Sequence, residues 1–458
     1  MTEQINTREL ILEVLLAVTR DQVYSHIAIR SVLEKYQYLD KRDRSFIKRV
    51  SEGTLETMPE LDYILGQFSS APVKKMKPVI RCILRMSVYQ LRYMDTVPAS
   101  AVCNEAVKLA EKKGFRGLKG FVNGVLRHIA RGAEEIRWPE DPMELLALHS
   151  GIPGWMLEQW KRDYGPERMG QLAAVMRQQA PTIIRTNTAL IRPEELQERL
   201  QAEGVTVQPL SLPEYPLLRE AFAISDYDYI RAIPSFREGL FTVQDISSML
   251  VGEMACAELP AAQEGKTGED DAPIAADGRP LQVIDVCAAP GGKAIHMAER
   301  LGLRGQVLAR DLTEDKVALI DENIRREGLS NIRTQVWDAT VYDAGLAGQA
   351  DILIADLPCS GLGVLRRKTD IRYHMSEAQE RELAALQRQI LSTVCAYVRP
   401  GGILMYSTCT MDRMENEDNT ARFLKEHPDY TLLEERQLFP GEWPGDGFYI
   451  AKMKKSDE

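Results

Sequence analysis

The sequence predicts a multidomain protein with an all-helical first region, a small α+β region and a final α/β domain that contains a parallel sheet. Apolar residues recur at helical spacing through residues 1–135, and a strand–helix–strand order lies within residues 154–245. Strands then alternate with helices within residues 246–458, which is typical of a parallel sheet covered on both faces. Residues 136–153 are rich in Pro and acidic side chains, and we interpret them as a linker.

The helical region is basic, although the chain as a whole is acidic. The net charge is −10, but residues 1–140 carry 23 Lys and Arg against 17 Asp and Glu, so this part is +6 and the remainder is −16. Three basic clusters contribute, at Lys41, Arg42, Arg44, Lys48 and Arg49, at Lys74, Lys75, Lys77, Arg81 and Arg85, and at Lys112, Lys113, Arg116 and Lys119. One such cluster is commonly a solvated helix face, but three in one domain favour RNA as a partner.

Composition argues against a secreted or membrane protein. The seven cysteines are an odd number in 458 residues, and several lie within apolar patterns, which favours a reducing cytoplasm over a disulfide framework. No stretch approaches the roughly 20 apolar residues of a membrane helix. The polar N-terminus lacks the apolar core of a signal peptide. We therefore expect a cytoplasmic protein that does not bind membranes.

The α/β domain shows five strands and an acidic interruption. The strands are expected at 282–287, 306–310, 332–337, 351–356 and 402–407, with helices at 314–328 and 377–398 between some of them. Residues 257–280 are acidic and poor in large apolar side chains, which predicts a flexible loop. Within it, residues 261–280 look like an insertion to which we assign no role.

The segment 283–300 is the most informative one for a ligand. A hydrophobic strand ends at Asp285, passes through small residues and two glycines, and enters a helix. Glycines let a backbone approach a ligand closely, and open α/β sheets bind ligands at the carboxyl ends of their strands. The loop consists of Cys287, Ala288, Ala289, Pro290, Gly291, Gly292 and Lys293. It matches neither the dinucleotide pattern nor the P-loop, so a different cofactor is expected.

Three later strands also end in an acidic residue. Asp311, Asp338 and Asp356 end the second, third and fourth strands. A single strand-terminal Asp is commonly a turn-former or helix cap. Four in order suit S-adenosylmethionine, which is a cation, with Asp311 placed for the ribose hydroxyls and Asp338 for the adenine.

Cys359 and Cys409 stand in polar loops just past two strands, at the same edge as the cofactor loop. A buried core position suits Cys82, Cys103, Cys256 and Cys395 better, while Cys287 in the cofactor loop is expected to be structural. Zinc is disfavoured because neither loop cysteine has a second ligand at metal spacing, and we predict no metal site. A thiolate in this place is suited to adding to carbon 6 of a cytosine, which activates carbon 5. Asp356 would stabilise charge on the pyrimidine edge. These observations leave both cysteines as candidate nucleophiles.

Several motifs resemble one known family. The segments 287–293 (CAAPGGK), 356–363 (DLPCSGLG) and 406–410 (YSTCT) resemble the signatures of RNA 5-methylcytosine methyltransferases, and 241–250 (FTVQDISSML) is similar to a preceding segment of that family. The helical N-terminus resembles NusB, an RNA-binding antitermination factor. Together they resemble the RsmB (Sun/Fmu) group, which methylates a cytosine of 16S rRNA, over nearly the whole chain.

The resemblance implies specific roles. Cys409, after Thr408, would be the nucleophile, and Cys359 would assist proton removal or product release; DNA cytosine methyltransferases use the Pro-Cys cysteine instead. The α/β domain would be Rossmann-like, and residues 154–245 would bind RNA. The cofactor residues would be 287–293, Asp311, Asp338 and Asp356, and the substrate would be 16S rRNA, not DNA, for a monomeric enzyme.

The sequence departs from the commoner family pattern at two positions, and two other functions stay open. Leu357 stands where alanine is frequent, and Ala294 stands where threonine is usual. Both changes preserve backbone shape. The alternatives are a non-catalytic RNA-binding assembly factor and a related enzyme that acts on a cytosine of tRNA or another rRNA.

Overall fold

The computed structural model describes residues 6–212, 214–215, 218–257, 278–302 and 305–457. Most of the predicted acidic loop, residues 258–277, lies outside these ranges. The chain divides into two compact units, the first made of residues 1–178 and 365–374 and the second of residues 179–364 and 375–458. Within the described ranges, no helix is both long and apolar enough to cross a membrane.

The helices and strands are numbered in chain order. The helices are α1 (Thr7–Thr19), α2 (Ser25–Lys35), α3 (Lys41–Glu56), α4 (Met58–Phe68), α5 (Pro78–Tyr93), α6 (Ala99–Lys112), α7 (Lys119–Arg131), α8 (Pro142–Ser150), α9 (Gly154–Val175), α10 (Pro193–Ala202), α11 (Pro234–Arg237), α12 (Ile246–Cys256), α13 (Gly292–Leu301), α14 (Glu314–Glu327), α15 (Ile371–His374), α16 (Glu377–Val394) and α17 (Glu417–Glu426). The strands are β1 (Thr182–Thr186), β2 (Thr206–Pro209), β3 (Ala221–Ser225), β4 (Phe241–Val243), β5 (Gln282–Asp285), β6 (Gln306–Asp311), β7 (Ile332–Val336), β8 (Ala350–Asp356), β9 (Val398–Thr408), β10 (Tyr430–Leu438) and β11 (Phe448–Lys455).

The first unit is all-helical, as the apolar spacing predicts. Its helices α1 to α7 bury one continuous apolar core to which Leu12, Ile47 and Ile83 belong. Side-chain caps mark where helices begin: the Asn6 carboxamide oxygen accepts from the Arg8 amide at 2.9 Å, which satisfies an amide that the helix itself leaves unpaired.

The segment 136–153 is not a simple linker, which corrects the interpretation of the sequence. It contains α8, which begins where the Asp141 carboxylate accepts from the Met143 amide at 2.7 Å and Pro142 occupies the first turn. Proline is favoured there because the first helical amides have no intrahelical acceptor. The helix α9 was also not expected, and it is broken at Gly165, whose φ of +84° is not helical.

Ten residues of the predicted α/β domain belong to the helical unit. Within residues 365–374, the Asp370 carboxylate accepts from the amide of Ser25, at the start of α2, at 3.1 Å, and also from the Ser25 hydroxyl. The Tyr373 hydroxyl donates to the Leu55 carbonyl, in the last turn of α3, at 2.6 Å. Because Asp370 and Ser25 are both buried, this segment is an integral part of the unit.

The second unit begins with a small α+β module, which we define as strands β1 to β4 with α10 and α11. The strand order is β2-β3-β1-β4, and all neighbouring pairs are antiparallel. The expected strand–helix–strand order is present as β1, α10 and β2. Leu196 and Leu200 of α10 pack with Ile184 and Phe241 of the sheet to form a separate small core.

A seven-stranded sheet carries the rest of the unit, in the order β10-β11-β9-β8-β5-β6-β7. The five strands expected from the sequence are parallel to one another. Strands β10 and β11 were missed, and both run antiparallel, so the sheet is mixed. Ile352 and Ile354 of β8 face one apolar core while Leu353 and Ala355 face another, which shows that both faces of the sheet are covered.

Candidate functional site

The predicted cofactor loop lies between β5 and α13, against the end of β6. The Ala289 amide donates to the Asp311 carboxylate at 2.9 Å, which ties the loop to the neighbouring strand. Gly291 has a φ of +109°, in the region that favours glycine. A Cβ atom there would lie 3.2 Å from the side chains of Ile295 and Ile320, so the loop packs closely against these two isoleucines.

The two acids predicted for the ribose and the adenine differ in their surroundings. Asp311, the last residue of β6, is buried, and its carboxylate also accepts from Lys316 Nζ at 2.9 Å. Asp338 lies two residues beyond β7 and is exposed. Its carboxylate accepts from the Thr340 hydroxyl at 2.7 Å and the Thr340 amide at 2.9 Å, and these bonds lower its pKa. Asp338 thus stabilises a turn in this structure and remains only a predicted contact for adenine.

Asp356 connects the cofactor loop with the strand that precedes Cys409. One carboxylate oxygen lies 2.6 Å from Lys293 Nζ, and the other accepts from the Ser407 hydroxyl at 2.8 Å. The Lys293 ammonium also lies 5.1 Å from the centre of the Phe448 ring. Asp356 therefore has a fixed orientation at the edge of the sheet where the predicted site residues meet.

Asp285 is the first of the four strand-end acids that the sequence predicts for a cationic cofactor. It is 1% exposed, and its Oδ2 atom accepts no hydrogen bond from the described residues. Burial, with the nearby Asp356, raises the pKa of Asp285 to about 8, although Lys293 opposes the shift. A buried carboxyl group with a free oxygen suits a cationic ligand. Together with the tight glycine turn, it fits the S-adenosylmethionine that the motif predicts.

Cys359 and Cys409 lie side by side, with their Sγ atoms 3.2 Å apart. Cys359 follows β8 and Cys409 follows β9, and these strands are parallel neighbours, so the two loops leave the same edge of the sheet. The hydrogen bond to Cys409 and burial raise the pKa of Cys359 well above its usual value. Cys359 therefore keeps its proton in the free protein.

A buried carboxylate that no sequence pattern indicated holds the Cys359 loop. Glu415 accepts from the Ser360 amide at 3.0 Å and from the Gln387 side chain at 2.7 Å. Gln387 also donates to the Pro358 carbonyl at 2.9 Å, so both neighbours of Cys359 are held. Burial raises the pKa of Glu415 to about 7. No spacing rule identifies Glu415, because its partners come from distant parts of the chain.

Gly363 joins the Cys359 loop to the Cys409 loop by hydrogen bonding and close packing. Its amide donates to the Cys409 carbonyl at 3.0 Å, and its carbonyl accepts from the Gly447 amide at 3.0 Å. A Cβ atom on Gly363 would lie 1.9 Å from the Gly447 carbonyl oxygen and 2.8 Å from that of Cys409. Only glycine allows this close approach.

The other cysteines lie away from this pair of loops in the chain. Cys82 and Cys103 are in helices, Cys395 follows α16, and all three are buried, while Cys256 ends α12 and is partly buried. Burial raises the pKa of Cys287 far above its usual range, consistent with a structural role. Among the described residues, the cluster of three potential metal ligands is Glu220, Glu253 and His296, which contains no cysteine.

The basic clusters of the helical unit are only partly available to a partner. Several of their members pair within the unit: Arg85 with Asp62 at 2.6 Å, Lys112 and Lys113 with Glu9 at 2.6 Å, and Arg116 with Glu111 at 3.0 Å. Arg44 is buried. The exposed members of the three clusters include Lys41, Arg42, Lys74, Lys75, Lys77 and Lys119. Charge counts alone therefore overstate the basic surface.

Comparison with known families accounts for most of the chain. The model described as 16S rRNA methyltransferase RsmB/F matches residues 277–454. The NusB family model matches residues 5–131, and a ferredoxin-like domain of RsmF/B-like methyltransferases matches residues 152–223. These matches confirm the predicted fold class, which is a NusB-like helical domain, a small α+β module and a methyltransferase domain.

Individual relatives match the chain over almost its full length. A probable ribosomal RNA small subunit methyltransferase B of Bacillus subtilis (strain 168) is 34% identical over 98% of this chain and 99% of its own. One of the same description from Synechocystis sp. (strain ATCC 27184 / PCC 6803 / Kazusa) is 30% identical over 99% of this chain and 100% of its own. The crystal structure of PH0851 is similar in fold, with a TM-score of 0.80, 21% identity and 99% of both chains covered.

Proposed function

Because the chain belongs to the RsmB/F family of S-adenosylmethionine-dependent 16S rRNA methyltransferases, we propose that it methylates carbon 5 of a cytosine in 16S rRNA with Cys409 as the nucleophile. The observation that supports this chemistry best is the pair of thiols at 3.2 Å, beside Asp356, at the edge of the sheet that carries the cofactor loop. We also expect a monomeric, cytoplasmic enzyme.

The cofactor supplies an electrophilic methyl group when it is bound. The residues that would hold it are the loop 287–293 with Asp285 and Asp311, and Asp338 at the rim. The carboxylate of Asp311 provides negative charge for a cation, and the buried carboxyl of Asp285 would add a second negative charge when it loses its proton on binding. Asp356, fixed by Lys293, would contact the cytosine.

The first chemical step assigns different roles to the two thiols. The Cys409 thiolate adds to carbon 6 of the cytosine, which pushes the electrons of the 5,6 double bond toward carbon 5 and makes that carbon nucleophilic. Cys359 keeps its proton, because its pKa is raised by the hydrogen bond to Cys409 and by burial. A thiol is the weaker nucleophile, and its S–H donates to the neighbouring thiolate. We assign the addition to Cys409 because it follows Thr408, as the nucleophile does in the RNA 5-methylcytosine methyltransferases that the motifs resemble.

The last steps remove the carbon 5 proton and release the product. Once Cys409 is a thioether, its hydrogen bond no longer raises the pKa of Cys359, so Cys359 can release its own proton to solvent and, as a thiolate, accept the carbon 5 proton. The electrons of that C–H bond then restore the 5,6 double bond, and the bond from carbon 6 to Cys409 Sγ breaks. Cys409 leaves as a thiolate, and the product is 5-methylcytosine.

RNA binding is assigned to the helical unit and the α+β module. The helical unit matches the NusB family and exposes lysines at positions 74, 75 and 77. The target cytosine must leave its stack to reach the two thiols, as expected for enzymes that modify a base.

The decisive experiment combines methyl transfer with mapping. Purified protein, labelled S-adenosylmethionine and unmodified 16S rRNA should give label in the rRNA, and bisulfite sequencing should place one 5-methylcytosine. Label in rRNA without 5-methylcytosine would refute carbon 5 chemistry. Label only in tRNA or 23S rRNA would refute the substrate, and no label in any RNA would support a non-catalytic assembly factor.

A further inference from the structure

The cofactor loop is held by two side chains that are linked to the α+β module. Asn323 Nδ2, on α14, donates to the carbonyl of Pro290 at 2.9 Å. Arg185 Nη1, on strand β1 of the module, lies 3.4 Å from the carbonyl of Gly292, at the start of α13. Both acceptors belong to the predicted cofactor loop.

Arg185 is fully buried, so its position is determined by its partners. It is 0% exposed, and its Nη2 atom lies 2.8 Å from Glu299 and 3.8 Å from Glu327. Gly292 and Glu299 are seven residues apart, which places them on one face of α13, two turns from each other. Because a buried arginine requires its carboxylates, the guanidinium is fixed along this face of the helix.

Asn323 is oriented by a second arginine that also contacts the module. Arg326, one turn further along α14, donates to the Asn323 carboxamide oxygen at 3.3 Å. The same guanidinium donates to the Phe241 carbonyl of β4 at 2.9 Å and lies 4.1 Å from the centre of the Phe236 ring. Its contact with Asn323 turns the Asn323 amide toward Pro290.

We propose that Arg185 and Asn323 are positioning residues for S-adenosylmethionine, through which the α+β module sets the affinity of the cofactor loop. They fix the carbonyls of Pro290 and Gly292, and hence the amides and small side chains between them, before the cofactor binds. Preorganisation of this kind lowers the ordering cost of binding. The proposal rests on the cofactor of the proposed function but not on its cytosine chemistry.

The test measures cofactor affinity without RNA. Asn323→Ala should raise the Kd for S-adenosylmethionine about tenfold, the change expected for one lost hydrogen bond. Arg185→Lys keeps the charge and loses the planar fork, and it should raise the Kd about fivefold or more. A separate methyl-transfer assay with RNA gives the kinetic constants. In that assay kcat at saturating cofactor should stay within about twofold of wild type, while KM for the cofactor rises.

Asn187→Ala is the matched control. Asn187 is buried in the same module and donates to the carbonyls of Gly239 at 2.9 Å and Glu327 at 3.0 Å, and neither of these acceptors belongs to the cofactor loop. This variant should lower the melting temperature and leave the Kd unchanged. If Asn323→Ala and Arg185→Lys bind the cofactor as wild type does, the contacts only join the module to the sheet and the proposal is wrong. Asn323 is partly exposed, so its variant is expected to fold even if Arg185→Lys does not.

Discussion

The Cys359–Cys409 pair, with Sγ atoms 3.2 Å apart, allows the two roles to be separated by single substitutions. Cys409→Ser should lower methyl transfer on the order of a thousandfold or more, because a serine hydroxyl is not ionised at neutral pH. Cys359→Ala should still form the bond to carbon 6 but release product slowly. The covalent protein–RNA complex should then accumulate and migrate as a slower band on a denaturing gel.

Cys103→Ala is the control for these thiols, since Cys103 is buried in α6 of the helical unit. It should retain wild-type turnover and form no lasting complex. If Cys409→Ser instead accumulates a complex that is absent from the double variant with Cys359→Ala, then Cys359 is the nucleophile and the roles are reversed.

Asp285 should make cofactor binding dependent on pH. Its pKa is raised to about 8 by burial and by Asp356, so the carboxyl is mostly protonated at pH 7. A bound cation favours the carboxylate and should release up to about one proton per cofactor. Calorimetry in buffers of different ionisation enthalpy measures this proton directly. Asp285→Asn should bind with no such release, and an unchanged release in that variant would exclude Asp285 as its source.

The ionisation of Asp285 should also make the stability of the cofactor-free protein depend on pH. Because the folded-state pKa of Asp285 is raised from 3.8 to about 8, its contribution is complete below pH 3.8 and is lost as the pH rises through about 8. The wild type should therefore lose more unfolding free energy between pH 6 and pH 9 than Asp285→Asn does, as denaturant titrations at each pH would measure. An equal loss in both proteins would contradict the raised pKa.

Residues at strand ends were predictable, whereas their supporting contacts were not. The carboxyl ends of parallel strands meet at one edge, so the sequence alone placed Asp311, Asp356 and both loop cysteines near one another. The bonds from Glu415 to the Ser360 amide and from Gln387 to the Pro358 carbonyl join residues 55 and 29 positions apart. Such partners depend on how helices pack, which no local pattern records.

Among the elements, those with a regular apolar period were predicted and the shorter or irregular ones were not. Strands β5, β6, β8 and β9 each contain a run of apolar residues and were found, and β7 was found from its place in the strand–helix alternation although its residues are mostly polar. Strand β10 lies at the edge of the sheet and contains a run of four polar residues at 434–437, and it was missed together with its partner β11. Helix α8 was missed because its Pro- and acid-rich start resembles a loop, although those residues are also good helix starters.

The segment 365–374 should contribute to the stability of the helical unit. The Asp370 carboxylate accepts from the Ser25 amide at 3.1 Å, and thereby caps α2. Asp370→Asn keeps the shape and removes the charge, so it should lower the free energy of unfolding by about 1–3 kcal/mol. The loss should be visible as a lower melting temperature by circular dichroism.

Lys368→Gln is the control in the same segment, because Lys368 is exposed and its substitution also changes the charge by one unit. Its free energy of unfolding should lie within about 0.5 kcal/mol of the wild-type value, as is usual for surface substitutions. If Asp370→Asn also leaves the melting temperature unchanged, the segment does not stabilise α2.

At the scale of the whole molecule, neither unit is a continuous stretch of chain. The chain leaves the second unit after Val364, adds ten residues to the helical unit and re-enters the second unit at Met375. A fragment that ends at residue 178 therefore lacks Asp370 and Tyr373, which bind α2 and α3. The sequence could not reveal this arrangement, because Ser25 and Asp370 are 345 positions apart.

The uneven distribution of charge along the chain predicts that the salt dependence of RNA binding comes from the helical unit. Lys74, Lys75 and Lys77 are exposed in the helical unit, which is the basic part of a chain of net charge −10. Changing all three to Gln should raise the KM for 16S rRNA and reduce the slope of log K against log salt by about 0.7–0.9 per lost phosphate contact. The Kd for S-adenosylmethionine should not change. Arg422→Gln with Lys425→Gln, at two exposed positions of α17, is the control and should leave the slope unchanged. If the control alters the slope and the lysine variant does not, RNA is bound elsewhere.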